Sequence, residues 1–197
     1  LGLVIVLASL FAWLNRRDPR QPVILPVVLL GVVIFQGLLG MWTVTLLLKP
    51  LIVMGHLLGG LTTLGLLVWL LLETRRSGKA LRPARRHIPW LAVSGLVILI
   101  TQIALGGWTS SNYAALACPD VPTCQGQWWP EDSNFAEGFV LWRGLGVNYE
   151  FGVLDAPSRV AIHFAHRLGA VATFTILLLV ALHFRARSQA AALRAAA

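Results

Sequence analysis

A histidine at 56, the triplet His163, His166 and Arg167, and cysteines at 118 and 124 are the residues of this chain whose types and spacing can do chemistry. His166 and Arg167 stand inside an otherwise apolar run, Val160 to Phe184. An arginine at the centre of a bilayer costs about 2.5–3.5 kcal/mol even on insertion scales, so such a pair marks a functional site unless it is fully partnered. His56 lies about a turn and a half into another apolar run, and shares a face with Gly60 and Thr63. Gly55 and Gly59 form a small-xxx-small pair that lets another body approach closely. His166 continues through Ala170 and Thr173 on its own face, while His163 and Arg167 occupy an adjacent stripe. Each of two helices thus carries an imidazole beside small residues. A neutral imidazole is an axial ligand for haem iron, small residues leave room for the macrocycle, and Arg167 suits a propionate. The plain alternative is two unrelated histidines hydrogen-bonded across helices.

The elements that must position these groups follow from composition. The chain is 57% hydrophobic and 12% charged, with mean hydropathy +0.74, against roughly 25% charged residues in an ordinary soluble domain. It reads as an all-α integral membrane protein. Four runs are long enough to cross a bilayer as helices: Val23–Leu48, Leu51–Leu72, Ile88–Gly107 and Val160–Phe184. The shorter run Leu1–Leu14 has no basic leader and reads as the inner end of a helix whose start precedes the chain. Arg16, Arg17 and Arg20 follow the first run; Arg75, Arg76, Lys79, Arg82, Arg85 and Arg86 the third; Arg185, Arg187 and Arg194 the fifth. The other connections carry only Lys49 on one side, and Arg143 and Arg159 on the other. The positive-inside rule then makes the basic loops cytoplasmic and the 110–158 connection external, with agreement at every crossing. The net charge of +8 is therefore topological, which argues for a lipid bilayer and against nucleic acid as partner. Ser188–Ala197 reads as a cytoplasmic tail or loop.

Helix ends are marked by Pro22, Pro26 and Pro89 in first turns, and by Ser158 as a cap for the last helix. His87 and His183 sit at helix boundaries beside arginines and are assigned no role. Lys49-Pro50 leaves only a tight turn, so the flanking helices are antiparallel neighbours. In the external connection, Cys118-Pro-Asp-Val-Pro-Thr-Cys124 fits either a structural disulfide or a redox-active pair. Zinc is disfavoured because no second ligand pair stands at the right spacing. An internal echo, Gln36-x-x-x-Gly40-x-Trp42-Thr43 and Gln102-x-x-x-Gly106-x-Trp108-Thr109, suggests a duplicated plan.

The segments Gln36-Gly-Leu-Leu-Gly-Met-Trp-Thr-Val44, Lys49-Pro-Leu-Ile-Val-Met-Gly-His-Leu57, Gly106-Gly-Trp-Thr109, Cys118-Pro-Asp-Val-Pro-Thr-Cys124 and Ile162-His-Phe-Ala-His-Arg-Leu168 together resemble the haem A synthase family of bacteria and mitochondria. The resemblance implies an eight-helix pseudo-repeat of two four-helix halves, each supplying two axial histidines. It implies an oxidoreductase that converts the C8 methyl group of haem O to the formyl group of haem A by successive hydroxylations, for cytochrome oxidase assembly. On this resemblance His56 is the fourth-helix ligand of the substrate haem. His166 is the sixth-helix ligand of a haem b cofactor, with Arg167 and His163 in the same cofactor site, and the iron ligands here are His56 and His166. Cys118 and Cys124 match the external cysteine pair, expected as a disulfide. His163 stands where the family's other half has a glutamate implicated in catalysis, so the catalytic residue itself is not assigned.

The resemblance also divides the chain: residues 1–86 would complete a first half, and 87–197, with external loop 110–158, would begin a second. It describes a fragment with four complete transmembrane helices and one partial one, from part of helix two through helix six, inactive alone. The expected setting is a bacterial inner membrane, multi-pass, with loop 110–158 periplasmic. Haem O synthase, cytochrome oxidase assembly factors and a second copy of the chain are the expected protein partners. Two other readings remain at this stage: a dihaem b-type electron carrier in which both haems are permanent, and a transporter or structural bundle in which Arg167 pairs with an acid.

Overall fold

The computed structural model describes residues 1–18, 21–76 and 90–196. His87, Pro89, Arg20 and the basic residues Lys79, Arg82, Arg85 and Arg86 lie outside them. Among the described residues every regular element is a helix: α1 Gly2–Leu14, α2 Ile24–Thr45, α3 Pro50–Arg76, α4 Trp90–Ser111, the short α5 Phe135–Gly138, and α6 Ala156–Ala196. By length and composition α2, α3, α4 and the Ala156–Arg187 part of α6 can each cross a membrane. Their outer faces carry bare Phe35, Leu64, Val97 and Phe174, which water would penalise and lipid does not. The chain is an integral membrane helical bundle.

It divides into two compact units, one of Leu1–Arg85 with Gly144–Asn148, the other of Arg86–Arg143 with Tyr149–Ala197. In the first unit, α1 packs on α2, and α2 on α3. Ile5, Ser9 and Ala12, at helical spacing, form the buried stripe of α1. The Ser9 hydroxyl donates to the Pro26 carbonyl at 2.8 Å. The Val23–Leu48 run does not stay helical to its end: α2 stops at Thr45, and Leu47 and Leu48 adopt φ of 53° and 60°. Such left-handed residues cost about 1–2 kcal/mol each. The Leu48 N–H donates back to the Thr43 carbonyl at 2.9 Å, which satisfies a helix-end acceptor without the usual glycine. The buried Lys49 ammonium donates to the Gly144 carbonyl, so residues of the 110–158 connection pack with this unit.

In the second unit α4 and α6 pack in antiparallel pairing, with Gly95 against Leu177 and Val180 and Gly106 against His166. The α6 cap is Asp155 rather than Ser158: its Oδ1 accepts the Ser158 N–H at 3.0 Å, the geometry of an N-cap bonding the third helical residue. α6 continues to Ala196, so the stretch read as a tail or loop is helical as far as it is described. Alanine, arginine, glutamine and leucine are strong helix formers, and no glycine or proline interrupts them. α5, capped by Asn134, lies against the start of α6. The Trp108 indole N–H of α4 bonds the Gly138 carbonyl at 2.9 Å. This ties α5 to the loop end of α4.

Candidate functional site

Each unit presents one intramembrane histidine through the same local device. In the first, Gln36 of α2 reaches His56 of α3. Its Nε2 donates to the His56 carbonyl at 2.9 Å, and its Oε1 lies 3.1 Å from His56 Nδ1. The close approach depends on two glycines. A Cβ at Gly59 would stand 2.4 Å from Gln36 Nε2, and one at Gly40 would stand 3.4 Å from His56 Cε1. In the second unit, Gln102 of α4 reaches His166 of α6, with Nε2 3.0 Å from both the His166 carbonyl and Nδ1. A Cβ at Gly169 would stand 2.3 Å from Gln102 Oε1, and one at Gly106 would stand 3.2 Å from His166 Cε1.

The internal echo thus acquires a physical content: its glutamine and its first glycine are the two positions that touch the imidazole. A second echo had a sequence signal that the reading above did not use. His56-x-x-Gly59-x-x-x-Thr63 recurs as His166-x-x-Gly169-x-x-x-Thr173, and both threonines are buried. The pairing of one echo with the other is the element that sequence reasoning missed.

His163 and Arg167 face a different task. The Arg167 guanidinium donates through Nη1 to the carbonyls of Asp120 (2.5 Å) and Thr123 (2.8 Å), and through Nη2 to that of Cys118 (2.6 Å). Its Nε lies 3.2 Å from His163 Nε2, and the Cys118 N–H lies 3.2 Å from His163 Nδ1. A neutral imidazole has only one acceptor nitrogen, so these last two contacts are alternatives. Four of the five guanidinium N–H groups therefore point at the protein. Arg167 and His163 clamp the 118–124 loop onto α6.

Within that loop, Cys118 and Cys124 form a disulfide, packed with Val160 and Phe164 of α6. Gln125 and Gly126, at φ of 55° and 78°, turn the chain back so that Cys124 and Gln127 exchange backbone hydrogen bonds, as a type I′ turn requires. The Asp120 carboxylate accepts the Thr123 hydroxyl and the N–H groups of Gly126 (3.0 Å) and Gln125 (2.6 Å). With the Thr123 bond as the largest cause, they lower its pKa from the ordinary 3.8 to about 2. Hydrogen bonds to the charged form favour it. A carboxyl whose folded pKa is depressed stabilises the fold above its unfolded pKa, and that stabilisation is lost as pH falls through the folded value. Pepsin cleavage of the 118–127 segment is therefore expected to accelerate as pH drops from about 4 to about 2. Pepsin's own dyad also titrates across this range, so the readout is the wild-type rate relative to Asp120→Asn digested in parallel: that ratio should rise as pH falls, and coincident profiles would contradict this.

Among the described residues, no group of three or more His, Cys, Asp or Glu side chains could hold a metal ion. A bare ion needs several protein ligands, whereas a porphyrin brings four nitrogens and asks the protein only for axial ones. Single imidazoles, each beside a glycine where a Cβ would crowd the ring, fit an iron macrocycle.

Fold and site together define a class: a polytopic helical membrane protein whose two units each set one glutamine-backed imidazole within a membrane-spanning helix. The sequence model of the COX15-CtaA family, described as cytochrome oxidase assembly protein, matches residues 1–197, and the chain belongs to that family. It is similar to the heme A synthase of Shewanella oneidensis, 45% identical over 182 residues, which cover 92% of this chain and 55% of that protein. It is also similar to the heme A synthases of Shouchella clausii (29% over 147 residues, 71% and 48%) and Halalkalibacterium halodurans (27% over 187 residues, 92% and 54%). The chain spans about half the length of the curated relatives it matches. No solved structure matches it.

Proposed function

We propose that this chain forms part of a haem A synthase, a membrane oxidoreductase that converts the C8 methyl group of haem O to a formyl group. The observation that carries the reading is the duplicated Gln–Gly–His device, one imidazole per unit, in a chain whose relatives are named heme A synthase. In this reading the two units belong to the two halves of a pseudo-repeat, divided near residue 86. His56 would hold the iron of the substrate haem O and His166 that of a haem b cofactor, and bound haem iron would supply the redox chemistry. The chain's own residues hold and orient. α2 and α4 back the imidazoles, and the glycines keep Cβ atoms away from the rings. The clamped 118–124 loop covers the first turns of α6, excludes water, and brings Arg167 and His163 to the edge of the cofactor site. The relatives are bacterial, which supports an inner-membrane setting. The positive-inside rule puts the basic loops in the cytoplasm and the 110–158 connection in the periplasm.

Pigment analysis of the full-length protein is the test. Expressed with a source of haem O, it should accumulate haem A. Bound haem that stays haem B and haem O throughout would sink the reading in favour of a dihaem carrier, and purification without any haem would favour a structural bundle.

A further inference from the structure

The two units place a glutamine amide against a histidine Nδ1, but the two amides are not set alike. Gln36 makes a matched pair of bonds: Nε2 donates to the His56 carbonyl, and Oε1 is in reach of the Nδ1 proton. That arrangement leaves the lone pair of His56 on Nε2, the nitrogen at the far side of the ring. In the second unit Nε2 serves both the carbonyl and Nδ1 of His166, and Oε1 is buried with no partner. A buried acceptor left without a partner is costly. As set, that amide N–H makes Nδ1 of His166 the acceptor. The terminal torsion of glutamine is broad, and a turn that exchanges Nε2 and Oε1 puts the amide oxygen against Nδ1, as in the first unit.

We infer that Gln36 and Gln102 are positioning residues that fix the tautomer of His56 and His166, holding Nδ1–H on the amide oxygen so that Nε2 is free to bind iron. The inference rests on the haem reading above. The nitrogen of a ligating histidine that does not bind metal donates to an outer partner that sets ring orientation and basicity. A carboxylate or carbonyl commonly fills that role; here a neutral side-chain amide does so within a membrane helix. It also grips the backbone carbonyl of the same histidine, so ring and helix are fixed together. Interhelical hydrogen bonds in membranes contribute only modestly to helix association. Helix association alone is therefore a weak reason for two glutamines at matching positions.

The test uses the full-length, haem-loaded protein and reads haem retained per chain together with the low-spin electron paramagnetic resonance g-values. Gln36→Leu and Gln102→Leu remove the acceptor and should weaken haem retention in the affected unit by about 10–100-fold. Gln36→Glu and Gln102→Glu keep an acceptor for Nδ1–H and should retain haem with shifted g-values. Leucine variants with wild-type retention and g-values, or glutamate variants that lose haem as the leucine ones do, would overturn the inference. Should a leucine variant fail to fold, the glutamate variant decides alone, and unshifted g-values there count against it. His56→Ala and His166→Ala serve as controls. If these leave haem untouched, the haem reading itself is wrong; if they remove haem while both glutamine series are silent, only the tautomer assignment fails.

Discussion

His56→Ala and His166→Ala, each made in the full-length protein, should each change the haem absorption spectrum and abolish haem A formation, with activity lower by at least about 100-fold. Removing an outer partner of a metal ligand already costs about 10–100-fold, so removing the ligand costs no less. The two variants should differ in which pigment is affected. On the proposed assignment His56→Ala disturbs binding of haem O and leaves the haem b spectrum in place, whereas His166→Ala removes or turns high-spin roughly one equivalent of haem b. Spectra and haem content unchanged from wild type in both variants would show that neither imidazole is a ligand.

Arg167→Leu should lower the stability of the second unit by about 3 kcal/mol, because three loop carbonyls lose a charged donor and bonds to charged groups contribute about 1.5–3 kcal/mol each. The total stays below the about 4.5–9 kcal/mol that three such bonds would sum to, because the loop is partly exposed and water can replace some of the partners. Thermal denaturation in detergent measures the loss. Trapping of thiols during treatment with a reductant should show Cys118–Cys124 opening faster in the variant. Arg167→Lys should rescue little, since a single ammonium cannot span the carbonyls of Cys118, Asp120 and Thr123 as a planar fork does. The propionate role expected from sequence predicts another result: haem retention falls while the disulfide opens at the wild-type rate. One N–H of the guanidinium is left for such a contact, so the two measurements apportion the residue between loop and cofactor.

Much of the site was legible because rare residues stand out in hydrocarbon. His56, His166 and Arg167 announce themselves as polar groups in apolar runs, and each falls in a membrane-spanning helix. Less legible was what they touch. Arg167 read as a partner for an anionic ligand, since its nearest chemical neighbours in sequence are His163 and His166. In the structure the guanidinium also bonds backbone carbonyls 44 to 49 residues away, and carbonyls carry no side-chain signal. The cap of α6 was read one turn late, at Ser158, because serine after proline looked like a start; Asp155 precedes it and is the better acceptor.

The sequence by itself determined the membrane class, the four crossings, the disulfide-forming pair as one of two alternatives, the two candidate ligands and the family. It did so through composition, run length and a few uncommon residues, all of which are local quantities. Only the tertiary structure decided which face of each helix meets which neighbour. The helices of this bundle are apolar nearly all round, so hydrophobic periodicity holds no record of their inner face. Close approach at Gly40, Gly59, Gly106 and Gly169 holds that record instead, because in lipid small residues and buried amides, rather than apolar stripes, select the partner. That is why the two echoes were visible as patterns in the chain, yet became a paired site only when Gln36 met His56 and Gln102 met His166 in space.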